Sequence, residues 1–328
     1  MEATRRDAIG LVGAAAAAAA MTGKAGQAMA AANLGSPVKT LFWTASITPC
    51  DRNLKFDPGA FRDVLAWFKH CGADGVVVLG TSGEYPSFSV AERKQVAEVA
   101  LKDKLGLNII IGPGTPNFPE TLELSQHAAD HGADGLLVIP PFYYPDPPTE
   151  GLTRYYSMLF DQVRLPINLY HIPGNSHVPI SIDLLKSLQH YPNLAGIKDS
   201  SGDASGYARF VANFPELNMR TGTGSNLEHA LDNGMGAILM EGNVFTKQCA
   251  DVFAAYRAKQ DYHAPLARLR AAEQTMRAGG VYSFGPMKYA LSQQMGASQF
   301  YQRPPHADVT DGQKQMLRAA LGQIKNMA

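Results

Sequence analysis

Charge of one sign, cysteine and long hydrophobic runs are all scarce in this chain. Lys plus Arg number 29 and Asp plus Glu 29, a formal net charge of zero. That balance argues against a broad surface for nucleic acid or for an anionic membrane. The only cysteines are Cys50, Cys71 and Cys249. They lie far apart, show no metal-ligand spacing and can close at most one disulfide, leaving a thiol over. Beyond the N-terminus no stretch approaches the roughly 20 apolar residues that span a bilayer, so no membrane contact is expected after export and the mature chain should be soluble. The first strand-like run is followed by no glycine-rich phosphate loop, the mark of a dinucleotide-binding sheet. What remains is 328 residues at 45% hydrophobic, ample for a sizeable core in one large α/β domain or two smaller ones.

Residues 1–32 are a different material. Thr4-Arg5-Arg6-Asp7-Ala8-Ile9-Gly10 precedes the uncharged Leu11-Val12-Gly13 and an alanine run to Ala20, and Ala28-Met29-Ala30 offers an Ala-x-Ala site. A basic start, an apolar middle and small residues at a cleavage point make an export signal. The paired arginines and weakly hydrophobic core resemble a twin-arginine leader, although Ala8 stands where a large apolar residue is usual. A periplasmic location follows from this reading. An alanine-rich tail or a misplaced start is the alternative, and would leave the protein cytoplasmic.

Asn193-Leu194-Ala195-Gly196-Ile197-Lys198-Asp199-Ser200-Ser201-Gly202 is the most informative run. A strand-like stretch delivers one amine to its C-terminal tip, and small polar residues follow at once. In a barrel of parallel strands that tip lies on the face where chemistry is done. A partly desolvated amine there can lose its proton and attack a carbonyl to form a Schiff base. Taken alone, such a lysine is more often a solvated residue closing a strand.

From Leu41 the pattern alternates. Leu41 to Thr48 reads as a strand stopped by Pro49, and Asp57 caps a helix that opens at Pro58. Three segments repeat one device, a glycine that closes a helix directly before a buried apolar run. They are Gly72-Ala73-Asp74-Gly75 before Val76–Leu79, Gly132-Ala133-Asp134-Gly135 before Leu136–Ile139, and Gly234-Met235-Gly236 before Ala237–Met240. Further strands are expected over Leu107–Ile111, Pro166–Tyr170, Leu194–Lys198 and Leu217–Arg220. Eight βα units with few hairpin signals predict a (β/α)8 TIM barrel over residues 38–262, with a doubly wound sheet as the runner-up. Residues 263–328 read as a C-terminal helical region, with helices over Ala264–Gly279, Phe284–Met295 and Thr310–Asn326.

The ends of the strands name the candidate site. Strand two ends in Gly80-Thr81-Ser82-Gly83-Glu84, hydroxyls between glycines, a small nest suited to a carboxylate. Strand four ends in Pro140-Pro141-Phe142-Tyr143-Tyr144, strand five in Tyr170-His171-Ile172-Pro173, and strand six at Lys198. Singly, Tyr170 is a half-buried core residue and Tyr143 a loop anchor. Together they place two phenols, a threonine and an amine around one cavity.

Gly80-Thr81-Ser82-Gly83-Glu84, Pro141-Phe142-Tyr143, Tyr170-x-x-Pro173 and Gly196-Ile197-Lys198-Asp199 occur in the order and at the separations of the dihydrodipicolinate synthase/N-acetylneuraminate lyase family, which this chain resembles over about residues 40 to 310. Phe284-Gly285-Pro286-Met287-Lys288 and Arg303-Pro304 look like the family's C-terminal helices. The resemblance implies a class I aldolase with no metal and no organic cofactor. Lys198 forms an imine with pyruvate or a larger 2-oxo acid, Tyr170 moves protons as general acid and base, and Thr81 and Tyr143 complete a hydroxyl relay. Tyr143 crosses a subunit contact in this scheme, which implies a homodimer or homotetramer. Thr81 and Ser82 bind the substrate carboxylate, and the backbone of Gly222 approaches the substrate.

Departures from the family pattern bear on the substrate. The dihydrodipicolinate synthases carry an arginine shortly after Tyr-x-x-Pro, where this chain has Asn175, which cannot give a charged bidentate contact. On strand eight, where a small hydroxyl residue is common, this chain has Glu241, which either meets substrate hydroxyls or caps helix eight. His171 and His177 flank the loop of Asn175 and are candidates for a polar substrate tail or plain surface residues. The expected function is an exported Schiff-base lyase that cleaves or forms a C–C bond in a sugar acid or other polar 2-oxo acid. The alternatives are a 4-hydroxy-tetrahydrodipicolinate synthase-like condensation, a 2-oxo acid dehydratase, and a periplasmic 2-oxo acid binding protein on an aldolase scaffold.

Overall fold

Eight short runs, mostly apolar, form strands: β1 (Phe42–Ala45), β2 (Gly75–Val78), β3 (Asn108–Ile111), β4 (Gly135–Val138), β5 (Ile167–His171), β6 (Leu194–Asp199), β7 (Asn218–Thr221) and β8 (Ala237–Leu239). All neighbours pair in parallel, and β8 returns to β1, so the sheet is a closed barrel in chain order. The TIM barrel is therefore the fold, and closure removes the doubly wound alternative. This computed structural model describes residues 39–278 and 283–325. The leader expected over residues 1–32 lies outside the described residues.

A main helix follows each strand: α1 (Pro58–His70), α2 (Val90–Lys102), α3 (Phe118–Asp130), α4 (Thr149–Gln162), α5 (Ile182–Leu188, after a single helical turn at Pro173–Ser176), α6 (Ala204–Asn213), α7 (Leu227–Asp232) and α8 (Thr246–Arg257). Then come α9 (His263–Ala278), α10 (Phe284–Gln294) and α11 (Asp311–Lys325). α9 packs on α8, and α11 packs on both α9 and α10. Asp57 caps α1 through the Ala60 N–H at 2.9 Å, and Ser89 with Glu92 makes a capping box at the start of α2.

The repeated glycine device is a helix stop. Gly72, Gly132 and Gly234 have φ of +94°, +79° and +68°, the left-handed region where a Cβ is strained. Each is followed by an N–H that reaches back five residues, Ala73 to Phe68, Ala133 to Ala128 and Met235 to Ala230, the Schellman closure. In the first two copies the aspartate then grips the preceding strand: Asp74 accepts from the Phe42 N–H at 2.9 Å and Asp134 from the Ile109 N–H at 2.7 Å.

Strand one is shorter than its apolar run. Past Ala45 the chain leaves the ladder because side chains take over its polar groups. Asn243, after β8, accepts from the Ile47 N–H at 2.9 Å and donates to the Ala45 carbonyl at 2.8 Å. Thr48 donates to the Gly83 carbonyl at 2.9 Å. These bonds tie the exits of β1, β2 and β8 together at the face where the strands end.

Candidate active site

Tyr170 and Lys198 are register partners on β5 and β6. Lys198 Nζ donates to Tyr170 Oη at 3.3 Å, and the same phenol oxygen lies 3.3 Å from Thr81 Oγ1. Thr81 opens a single 3₁₀ turn, Thr81–Gly83, directly after β2. Nζ also stands 4.5 Å from the centroid of the Tyr170 ring. Only 5% of Lys198 and 4% of Tyr170 is exposed, so amine and phenol meet in a largely water-free site. Burial raises the Tyr170 phenol; the Lys198 charge and hydrogen bonds from Thr81, Ser200 and Lys198 together outweigh it, leaving the phenol below its usual range. A phenol so placed can give and take a proton at an atom bonded to the amine.

Gly222, after β7, fits closely against the amine's stem. A Cβ there would lie 2.0 Å from Ser200 Oγ and 2.8 Å from Lys198 Cε. On β7 itself, Arg220 is the register partner of Lys198. Its guanidinium turns into the barrel, 4.1 Å over the Trp43 ring of β1, and donates to Asn168 of β5 at 3.1 Å. Burial draws it down to about 10, against the opposing effect of Tyr207. The sequence reading did not single out this cation; its signal is charge and amide at alternate positions of Asn218-Met219-Arg220.

Glu241 stands after β8 in the turn Glu241–Asn243 and is 9% exposed. It does not cap α8, whose N-cap residue is Phe245. Its carboxylate instead converges with that of Glu273, from α9, on Gly224. A Cβ at Gly224 would lie 3.4 Å from Glu241 Oε1 and 3.2 Å from Glu273 Oε1. Glu241 Oε2 and Glu273 Oε1 are buried without a hydrogen-bond partner. Burial raises both carboxyls, and the Glu241 charge adds to the effect on Glu273, which reaches about 7. Lys198 and Arg277 act on Glu241 in the opposite direction. Glu273 lies outside every motif and could not be found from spacing.

Ser82 is buried in the turn beside Thr81. Asn175 is exposed on the helical turn Pro173–Ser176. Tyr143 is 80% exposed with its ring against Tyr144, and within the protomer it forms no hydrogen bond with Thr81. His171 faces outward, packed on Phe210 of α6, and its Nδ1 accepts from the Ile180 N–H at 3.0 Å. Its role in the fold is packing. His177 is exposed in the following loop.

A family model for the dihydrodipicolinate synthetase family matches residues 39–324. The chain belongs to that family. It is 31% identical over 284 residues to a 4-hydroxy-tetrahydrodipicolinate synthase of Bradyrhizobium diazoefficiens, covering 85% of this chain and 94% of the relative. It is 35% identical over 234 residues to an uncharacterized DapA-like lyase of Chloroflexus aurantiacus, covering 70% and 76%. A crystal structure of YagE, a prophage protein of the dihydrodipicolinic acid synthase family from E. coli K12 in complex with pyruvate, superimposes with a TM-score of 0.81 at 25% identity, covering 87% of this chain and 98% of that one. Membership makes this chain an enzyme of the dihydrodipicolinate synthase/N-acetylneuraminate lyase kind, a lyase family of class I aldolases.

In this family member the C-terminal region braces the turn that carries Thr81. Glu84, which bonds back to the Thr81 carbonyl at 3.0 Å, forms a fully buried ion pair with Lys288 of α10. Lys288 also donates to the Tyr301 carbonyl at 2.9 Å, and the Arg303 N–H reaches Glu84 Oε2 at 3.2 Å. The Arg303 guanidinium clasps Glu92 with two bonds of 2.6 and 3.0 Å. That clasp, with the Ser89 cap, holds Glu92 down at about 2.

Proposed function

We propose that this enzyme is a pyruvate-dependent Schiff-base lyase acting on a hydroxylated, sugar-derived 2-oxo acid, by retro-aldol cleavage or the matching condensation. The carrying observation is the chain from the buried Lys198 Nζ and Tyr170 Oη to the half-buried Thr81 Oγ1, linked at 3.3 Å each. The Lys198 amine adds to C2 of the 2-oxo acid and water departs, leaving an iminium. The C3–C4 bond then breaks, its electron pair passing toward the iminium nitrogen to give an enamine, while the C4 hydroxyl proton goes to Tyr170. An aldehyde leaves, C3 of the enamine takes a proton, and hydrolysis frees pyruvate and the amine. Thr81 passes the proton outward, and Tyr143 from a second copy of the chain completes the relay in a homodimer or homotetramer. Thr81 and Ser82 hold the substrate carboxylate, with Gly222 close beside the reacting carbon.

Two features support a hydroxylated tail over the carboxylate tail of aspartate semialdehyde. Asn175 offers no positive charge, and the Glu241–Glu273 pair leaves carboxyl oxygens without a protein partner that hydroxyls can satisfy. The arginine-paired N-terminus supports the further proposal that the enzyme works in the periplasm, tested by N-terminal sequencing of exported material. Borohydride trapping with pyruvate and a panel of sugar-derived 2-oxo acids, read by intact mass and peptide mapping, tests the chemistry. A stable adduct on Lys198, absent from Lys198→Ala, is expected. A folded protein that gives no adduct with any 2-oxo acid is instead a binding protein on an aldolase scaffold. Turnover of pyruvate with aspartate semialdehyde faster than with every other aldehyde would overturn the substrate reading.

A further inference from the structure

Three donor side chains converge on the outer ring, far from the chemistry. Glu98 lies on α2; His127 lies on α3 and His131 one residue past its end. The histidines are four residues apart, so a helical turn stacks them on one face, with ring centroids 4.0 Å apart. Glu98 Oε1 stands 3.2 Å from His127 Nε2. One donor atom from each of the three lies within 4.8 Å of the others.

We propose that Glu98, His127 and His131 bind a late first-row divalent cation of the Zn²⁺ class, clipping α2 to α3. Two donors held about 2.1 Å from one tetrahedral ion lie about 3.4 Å apart, and the His127–Glu98 pair comes near that at 3.2 Å. His127 Nε2 is buried with no hydrogen-bond partner, an unspent nitrogen beside a carboxylate. His131 Nδ1 lies 2.8 Å from the His127 carbonyl. Donation from Nδ1 leaves the Nε2 lone pair free and orients the ring, as in metal-bound histidines. Lys94, the nearby cation, is engaged by Glu123 at 2.6 Å. Glu98 is exposed and can turn inward, and water completes the shell. Imidazole with one carboxylate suits Zn²⁺, Ni²⁺ or Cu²⁺ over the hard Mg²⁺. α3 runs back toward the start of β4, so this cluster sits on the face opposite Lys198, where features of a TIM barrel serve stability.

The test is calorimetric titration of the untagged, chelator-stripped full chain with Zn²⁺ and, separately, Mg²⁺, with thermal unfolding in parallel. The expected result is one Zn²⁺ per chain, a Tm that rises with zinc by mass action, and no response to Mg²⁺. His131→Ala should weaken zinc binding at least tenfold and abolish the rise in Tm while leaving lyase activity unchanged. Glu98→Gln, an exposed and nearly isosteric change, gives the same readout should His131→Ala fold poorly. No saturable binding to the wild-type chain, or binding unchanged in these variants, would overturn the assignment.

Discussion

Replacing Lys288 by methionine isolates the brace beneath the Thr81 turn. The Glu84 and Lys288 side chains are both 0% exposed. Without the ammonium, Glu84 keeps only the Arg303 N–H at 3.2 Å for its carboxylate, and the Tyr301 carbonyl loses its 2.9 Å donor. Breaking a buried pair by removing one partner costs about 3–5 kcal/mol, because the remaining charge stays buried. Both oxygens depend on this pocket, so the upper part of that range is expected. At roughly 2 °C per kcal/mol for a chain of this size, Tm should fall by about 8–10 °C. Glu84→Gln combined with Lys288→Met removes the orphaned charge and should restore most of the loss. Denaturant and thermal unfolding of the wild type, single and double variants measure both. A single variant less than about 1 kcal/mol destabilised, or a double variant no better than the single, would refute the argument. Activity gives a second reading: the Glu84 N–H holds the Thr81 carbonyl, so kcat should fall in the single variant at temperatures where it remains folded.

Tyr170→Phe removes the proton carrier and leaves Lys198 in place, so kcat should fall about 10²–10⁴-fold while pyruvate is still trapped by borohydride; a change under fivefold contradicts the role given to the phenol. Gly222→Ala puts a methyl carbon 2.0 Å from Ser200 Oγ and 2.8 Å from Lys198 Cε, and activity should drop more than tenfold with the far-ultraviolet circular dichroism intact; full activity would show that the amine has room to spare. Glu273, beside Glu241, Arg270 and Arg277, titrates at about 7 when folded against an ordinary 4.5. The folded state therefore holds more protons between those values, and stability should decline as pH rises through that window. Glu273→Gln should flatten this decline in urea titrations at pH 5, 6 and 7.5, and an unchanged slope would remove Glu273 as its source.

The sequence reading reached the barrel and its amine because both are written in local pattern. Gly72, Gly132 and Gly234 mark helix stops that only a left-handed residue makes easily, and each is followed by an apolar run too short for a helix. Lys198 is visible because it ends such a run. Tyr170 and Thr81 became visible through motif order, and the structure supplies what order cannot, the two 3.3 Å contacts that join them to the amine. Arg220 and Asn168 were missed because inward and outward faces of a barrel strand cannot be told apart when both are buried. Glu273 was missed for another reason: its partner Glu241 lies 32 positions earlier in the chain, and only packing of α9 on the barrel brings the two together.

That difference in legibility follows a division within the site. In the proposed mechanism the imine chemistry sits on β5 and β6, neighbours in sequence order whose register sets amine and phenol side by side. Such a pair needs only two strand ends and survives wherever the barrel does. Gly224, Glu241 and Glu273, the residues proposed to face the substrate's tail, come from the segments after β7 and β8 and from α9 of the C-terminal region. An extension packed on the outside can change there without disturbing the strands that carry Lys198 and Tyr170. Family membership therefore carries reaction type further than it carries substrate. On the proposed reading, the buried carboxyls of Glu241 and Glu273 select the substrate's tail, through oxygens without a protein partner that a hydroxyl can satisfy.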